Sequence, residues 1–457
     1  MTHYLRLGLV PLYLLLCLLL GGASAAGFWA NMVLQLLAIP IIGWALLVRR
    51  SAPMSRAGRS LLTLLVLMLG LIALQLIPLP PALWTLIPGR EQTAAGFAML
   101  GQPLPWLPIS LAPYQTIGSA LWLLPAIAVL LGIVRLGNFR ASLLAWVLAL
   151  VTILSVAIGA LQIVGGEGSP WYLYEITNYG VTTGFFSNAN HMATLLVATV
   201  PFLAALYLSA RSKGRSVQRS SGLFVVLSGT LGVVFVGIAV NRSLAGIGLS
   251  VPVLAASLLM LISRKRKLPK WSAALVGLLL MGSVALAFSA PFHNNLTTQE
   301  ARTAEDSRYT SFTKSLGAAR EFLPLGSGIG SFQAIYRMRE DPAGVGRFYM
   351  NHVHSDLIEL LLETGLPGLV LILLFLVWWS RRAIAIWRAE KPDFFAQAAV
   401  VASAAILAHS LVDYPLRTAA IGAVFAMCCA LMAEPRARVR QGTPQPDEKQ
   451  ARHLSAD

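Results

Sequence analysis

The sequence predicts an all-α polytopic membrane protein of about twelve transmembrane helices, with one large helical loop between the ninth and tenth spans. Three observations carry that expectation. Of the 457 residues, 56% are hydrophobic and 12% charged, and apolar runs near or above about 18 residues recur along the chain. Short clusters of Lys and Arg occupy every second connection between those runs. A single long polar interval, from about 291 to 355, interrupts the series.

At about twenty residues per span, the runs fall at approximately 7–25, 28–48, 60–78, 114–134, 141–163, 190–209, 221–240, 244–263, 271–290, 366–387, 396–412 and 416–433. The first follows Arg6 and closes on Ala23-Ser24-Ala25, so it also resembles a secretory signal with a small-residue cleavage site. Cleavage would remove one span and leave the remaining topology unchanged. Arg49, Arg50, Arg56 and Arg59 separate the second and third spans, and Arg135 and Arg140 the fourth and fifth. Further basic groups lie between the sixth and seventh spans, the eighth and ninth, and the tenth and eleventh, and a last one starts at Arg436. Anionic lipid and the membrane potential retain such loops in the cytoplasm, so both termini are expected there and the other connections outside. The net charge of +16 follows from that topology. No aromatic-bearing soluble domain offers it to nucleic acid.

The chain then divides into an N-terminal membrane region, 1–290, with about nine spans, an outward loop with short helices, 291–365, the C-terminal spans, 366–433, and a cytoplasmic tail, 434–457. The Pro, Gln and Glu content of the tail predicts disorder. Cys17, Cys428 and Cys429 all lie in apolar spans, which predicts packing rather than disulfides or a metal site.

Function is expected in the outward connections. The loop at 79–113, with Gln102-Pro103-Leu104-Pro105-Trp106, reads either as a layer lying in the membrane interface or as a connector. Before the sixth span, Asn188, Asn190 and His191 gather amides and an imidazole, although Ser187 or Asn188 would also serve simply as a helix cap. Arg242 is the one charge in the hairpin between the seventh and eighth spans; its planar fork suits a phosphate, or it snorkels to headgroups. In the long loop, which carries Arg308 and Arg320, segments 309–323 and 331–340 read as short amphipathic helices. The glycine-rich turn between them, 324–330, either points amides at phosphate or only joins the helices.

Asn351-His352-Val353-His354-Ser355-Asp356 closes the long interval. Asp356 and Glu359 resemble a capping box for a helix starting near Leu357, which Gly365-Leu366-Pro367-Gly368 interrupts before the tenth span. The positive end of a helix favours a neutral imidazole, so His354 is the candidate general base, with a surface or capping histidine as the alternative. His352 and His354 form a His-x-His pair without the further ligands of a zinc site, so no metal is expected. Asp413 and Arg417 would pair with each other or support the site from nearby.

Together these segments resemble the O-antigen ligase and O-antigen polymerase superfamily of bacterial envelope glycosyltransferases. The likeness spans most of the membrane region. It is strongest at Gly184-Phe185-Phe186-Ser187-Asn188-Ala189-Asn190-His191, at Asn241-Arg242-Ser243-Leu244-Ala245-Gly246, and from Leu325-Gly326-Ser327-Gly328-Ile329-Gly330-Ser331-Phe332 through His354-Ser355-Asp356 to Gly365. In that family a His with Gly eleven positions later marks the catalytic end of the large periplasmic loop, which falls on His354 and Gly365, and the family's Arg falls on Arg242. Gly246 stands where the family often has Leu, and Ser355 where Asn is frequent.

The resemblance implies transfer of a glycan from undecaprenyl diphosphate to an acceptor sugar hydroxyl at the periplasmic face of the inner membrane, inverting and without nucleotide, cofactor or metal. His354 would be the base, and Arg242, Arg308 and Arg320 would hold the diphosphate. His352, Asp356, Asn188, Asn190, His191, Asp413 and Gly365 would support them. The acceptor would be lipid A–core for a ligase, or a growing carrier-linked glycan for an O-antigen or exopolysaccharide polymerase, with glycan-export proteins as further partners. A secondary transporter or lipid flippase fits less well, because such proteins place ionisable residues near the midplane, where these spans have no Asp, Glu, Lys or Arg.

Overall fold

Long apolar runs in lipid leave the backbone no hydrogen-bonding partner but itself, and the chain folds accordingly into helices. The computed structural model describes residues 2–24, 27–49, 53–137, 139–212, 217–263, 271–287, 308–340 and 350–434. The expected tail lies outside the described residues apart from its first position. In order the elements are α1 Thr2–Leu20, α2 Phe28–Leu47, α3 Arg56–Gln75, β1 Pro78–Leu79, α4 Pro81–Trp84, α5 Glu91–Met99, β2 Leu107–Pro108, α6 Pro113–Trp122, α7 Leu124–Leu136, α8 Ala141–Val164, α9 Ala189–Ser212 and α10 Val217–Asn241. There follow α11 Leu244–Ser263, α12 Trp271–Ala287, α13 Arg308–Glu321, α14 Phe332–Arg337, α15 Asp356–Trp387, α16 Phe394–His409, a 3-10 turn at Pro415–Arg417 and α17 Ala419–Ala433.

Each apolar run read from the sequence contains a helix among its described residues. Among the described residues eight are long and apolar enough to cross a membrane, α6 and α7 counting as one; the remaining four, Leu7–Leu20, Ala274–Ala285, Phe394–His409 and Ala419–Ala433, are shorter. Pro125 lacks an amide hydrogen, and the fourth run divides just before it into α6 and α7. At the centre stands α9, almost wholly buried, against α8, α10, α11 and α16. Alanines such as Ala198, Ala205, Ala399 and Ala402 let the backbones of α9 and α16 approach closely. Cys17, Cys428 and Cys429 are buried free thiols in this packing.

The polar ends of the helices gather in two groups. At one end Ser55 donates to the Ala433 carbonyl at 2.7 Å, Trp378 to Ala57 at 3.1 Å, and Arg382 to Met432. Arg135 there closes the end of α2 through the Ala45 carbonyl at 3.0 Å. The opposite end carries the polar segments 75–113, 165–191, 241–243, 322–332, 351–364 and 409–418, which bond to one another.

In the 79–113 segment β1 pairs antiparallel with β2, and Leu86, Met99, Leu100 and Trp106 stay exposed as an apolar layer. Arg90 is buried beneath that layer and donates to the Ile109 and Gly326 carbonyls, a link the sequence reading did not contain. The two loop helices occur as α13 and α14, the second shorter than the 331–340 expected because Arg339 turns back to Tyr336 and pairs with Glu321.

The tenth span shows the expected interruption. Gly365 sits inside α15 at φ 58°, ψ −146°, and the Leu366 amide bonds to the Pro324 carbonyl at 2.8 Å. The 32 residues of α15 would extend about 48 Å, more than a hydrocarbon core of about 30 Å. The part after Gly365 is long enough by itself, so 356–364 forms an extramembrane segment that carries the candidate residues.

Candidate active site

The site starts from helix ends. Asn188 Oδ1 accepts the Asn190 amide at 2.8 Å and its carbonyl accepts the amides of His191 and Met192, so Asn188 does cap α9. Asn190 Oδ1 accepts the Ser243 hydroxyl at 2.6 Å, and Asn241 donates to the Thr182 and Ala189 carbonyls at 2.8 and 3.0 Å. Those bonds fasten the Arg242 turn to the α9 cap. Arg242 has φ 60°, an unusual conformation for a side chain without a local hydrogen bond to support it, and its side chain is exposed.

The next residue of α9, His191, reaches into the bundle. Its Nε2 lies 3.9 Å from Asp413 Oδ1, and His354 Nδ1 lies 3.6 Å from the same oxygen. His354 also has positive φ, 62°. Tyr414 stands between three imidazoles, with ring centroids 5.0 Å from His191, 4.6 Å from His352 and 4.9 Å from His354. The Asp356 amide donates to the Ser410 carbonyl at 2.9 Å, which docks the start of α15 on the 410–417 turn. His354 and Arg242 therefore belong to the same end of the molecule, through Asp413, His191, Asn190 and Ser243.

Several expectations need correction. Arg417 does not pair with Asp413: its Nε is 3.4 Å from Asp356, and its Nη2 is 3.4 Å from Glu359 and 3.3 Å from Glu363. Asp356, Glu359 and Glu363 recur at helical spacing, so α15 presents them on one face to a single guanidinium. The capping residue is Ser355, whose hydroxyl accepts the Ile358 amide, and the helix starts at Asp356 rather than near Leu357. Glu359 instead accepts the Val353 amide at 3.0 Å and holds His352 Nδ1 at 2.8 Å.

The glycine-rich turn is not an anion cradle. The amides of Ser327, Gly328, Ile329 and Gly330 donate to the Leu362 carbonyl, the Glu363 carbonyl, Gln75 Oε1 and Glu363 Oε1, at 2.8 to 3.0 Å. Packing between the loop and α15 consumes the donors that a phosphate would need. Arg320 lies in the last turn of α13 with its side chain exposed, and the Arg308 side chain lies outside the described residues.

Burial and charge set the electrostatics of this extramembrane segment. Burial pushes the Asp356 carboxyl up to about 6 and that of Glu363 up to about 7, with Arg417 limiting both rises. For Glu359 burial acts in the same direction but is outweighed by Arg417 and His352, which hold it well below the usual carboxylate range. Burial opposes the charge of Arg417, yet Glu359, Glu363 and Asp356 together hold its proton more tightly than usual. From this cluster a cavity of about 1250 Å3 runs down between α3, α6, α7, α15 and α17.

Residues 229–373 match the family model described as O-antigen ligase. That segment of the chain is similar to the O-antigen ligase family. The matched segment contains Arg242, α13, the glycine-rich turn, His354 and Gly365, and stops short of Asp413 and Arg417. It supports membership of the O-antigen ligase and polymerase superfamily, and with it a membrane-embedded, glycosyltransferase-like enzyme. No curated protein matches the chain.

The parts of the site that the sequence reading missed are Glu363, inside the matched segment, and Tyr414 and Gln75, outside it. Only the 356, 359, 363 spacing signalled any of them in advance. The contacts of Tyr414 and Gln75 are long-range.

Proposed function

We propose that this protein transfers a glycan from undecaprenyl diphosphate to an acceptor sugar hydroxyl at the periplasmic membrane face, as an inverting, metal-independent O-antigen ligase. The observation that carries the reading is the meeting of His354 and His191 at Asp413, with the Arg242 turn fastened to the residue before His191. His354 is the base. Its Nδ1 faces Asp413, which leaves Nε2 to take the proton from the acceptor hydroxyl as that oxygen attacks the anomeric carbon. The bond from this carbon to the diphosphate breaks with its electron pair on the leaving group, and Asp413 stabilises the imidazolium that forms.

Arg242, with Arg308 and Arg320, offsets the charge developing on the diphosphate, a task for fixed cations that stay protonated. Asn188 and Asn190 position the Arg242 turn, and Asp356, His352 and Gly365 position the segment that holds His354. The face is periplasmic because the opposite end carries Arg59, Arg135 and Arg382, in keeping with retention of basic loops in the cytoplasm. In purified enzyme given lipid-linked donor and lipid A–core, His354→Ala is expected to lower transfer by about 10²-fold or more. A correctly folded variant with undiminished transfer would remove the base assignment, and transfer only to a carrier-linked glycan would make the enzyme a polymerase.

A further inference from the structure

The chain between α3 and α6 starts and ends at the level of the membrane boundary. The 20 residues of α3 rise about 30 Å, the thickness of a hydrocarbon core, so Gln75 stands where that core gives way to headgroups. The Ser110 amide bonds to the Gln75 carbonyl at 2.9 Å, and Pro78 and Leu79 pair with Pro108 and Leu107, which holds the returning chain at the same level until α6 begins. Inside the segment Trp84 is buried and donates to the Pro105 carbonyl at 2.9 Å. Residues 76–112 contain two charged side chains, Arg90 and Glu91, where a soluble domain would have about a quarter of its residues charged. Arg90 turns inward to backbone carbonyls and the Phe322 ring. What faces outward is apolar: Leu86, Met99, Leu100 and Trp106 are 65% to 84% exposed.

Two features say what covers this surface. Exposed apolar side chains continue into it from both flanking spans, Leu74 on α3 and Ile117 and Leu121 on α6, so it extends a surface that faces lipid. Along α5 the exposed positions are 91, 92, 95, 98 and 99, a single helical face. On that face Glu91 and Gln92 give way to Ala98 and Met99. A helix graded in this way enters a leaflet by its apolar end and keeps its polar end among headgroups.

We propose that residues 81–106 lie in the leaflet on the side of the candidate site, with Leu86, Met99, Leu100 and Trp106 among the acyl chains just below the headgroups and α5 sloping in from Gln92 to Leu100. The partner of this surface is lipid, not a second protein. The segment also carries the long loop, since Arg90 donates to the Gly326 carbonyl at 3.1 Å and the Leu111 amide to the Ser327 carbonyl at 2.9 Å. Glu363 of α15 accepts the Gly330 amide of the same turn. Lipid contact thereby sets the height over the membrane of the helix start that follows His352 and His354.

The test uses the full-length protein in phosphatidylethanolamine–phosphatidylglycerol vesicles, with one spin label at a time on Leu86→Cys, Gln92→Cys, Met99→Cys or Leu100→Cys. The native cysteines are buried, which keeps the labelling site-specific. Each label is read by its collision rates with oxygen, which concentrates among acyl chains, and with a nickel chelate, which stays in water. Leu67→Cys, exposed within α3, gives the lipid value and Gly168→Cys the water value. The oxygen-to-nickel ratio at positions 86, 99 and 100 is expected to be several-fold above that of Gly168→Cys, with Gln92→Cys nearer the water value. Water-like ratios at 86, 99 and 100 overturn the proposal, as do equal ratios at 92 and 99. Low rates with both reagents overturn it too, because they mean that a second copy or another protein covers the surface. The unaltered protein gives an independent reading: a phospholipid with a diazirine close to the glycerol end of its acyl chain should, on photolysis, tag residues 81–106, and tagging confined to the spans overturns the proposal. No donor or turnover enters either measurement, so failure here leaves the glycosyltransferase reading to the His354→Ala assay.

Discussion

Asp413 is buried, and two imidazoles approach its Oδ1, the same oxygen that accepts the Tyr414 amide at 2.8 Å. Such a carboxylate orients a base and stabilises the charge it acquires, so Asp413→Asn is expected to lower the transfer rate by about 10²- to 10⁴-fold. The fall should lie in kcat, with donor binding retained; a variant impaired only in donor affinity would contradict that role. Arg417 has a different weight. Replacing it by Met leaves buried carboxylates without their cation, for which a loss of about 3–5 kcal/mol is expected in denaturant melts. The same cluster gives stability a pH dependence with a definite sign. Burial raises Asp356 to about 6 and Glu363 to about 7, so folding favours their neutral forms. That contribution is full below the ordinary carboxylate range and is lost as pH rises through those values. Glu359 runs oppositely, losing its contribution only as pH falls below the ordinary range. Between about pH 5 and pH 8 the first two dominate, so Tm is expected to fall as pH rises, with a shallower slope in Glu363→Gln. A Tm that climbs across this window would show that the carboxyls are ionised at no cost.

At the scale of elements, α15 and α1 are the instructive cases. The break in α15 needs glycine because Gly365 has positive φ and a Cβ there would overlap the Pro324 carbonyl oxygen. That break was legible, since Gly-Leu-Pro-Gly in an apolar run signals it locally. The glycine-rich turn was not: whether its amides meet a phosphate or Glu363 and Gln75 depends on partners distant in sequence. Pairing of Arg417 was misread for a similar reason, because proximity along the chain favoured Asp413 while the docking of α15 supplied three carboxylates from elsewhere. For α1 the sequence left removal as a signal open, and packing favours retention. Leu14, Cys17 and Leu18 are fully buried, the Gly21 carbonyl accepts the Ala420 amide at 3.0 Å, and the Gly22 carbonyl accepts the Ser187 amide at 3.1 Å. Loss of α1 would strip apolar cover from α7, α8 and α17 and free groups bound to both site-bearing turns. Intact mass of the membrane-extracted protein is expected to include the first 25 residues, and a mature chain starting just after Ala25 would refute this.

The whole molecule is polarised along the bundle, with the candidate site at one end and basic side chains closing the other. Its interior spans lack charges at their centres, so little in the apolar core distinguishes one direction of insertion from the other; the basic loops carry that information. If they are held in the cytoplasm, every segment that contributes to the site must face the periplasm together, because the bonds from Asn190 to Ser243 and from Asp356 to Ser410 permit no mixed placement. Cysteine labelling tests this as a single rigid consequence. The three native cysteines are buried, which keeps the background low. Gly168→Cys lies in the exposed loop before α9, where a side chain meets no neighbour within 4 Å, and Lys391→Cys lies exposed between α15 and α16 at the basic end. A membrane-impermeant maleimide applied to intact spheroplasts is expected to label the first and to reach the second only after permeabilisation. The reversed pattern would turn the Arg242 and His354 end towards the cytoplasm, and with it the transfer reaction, leaving the bundle intact but the assigned donor on the wrong side of the membrane.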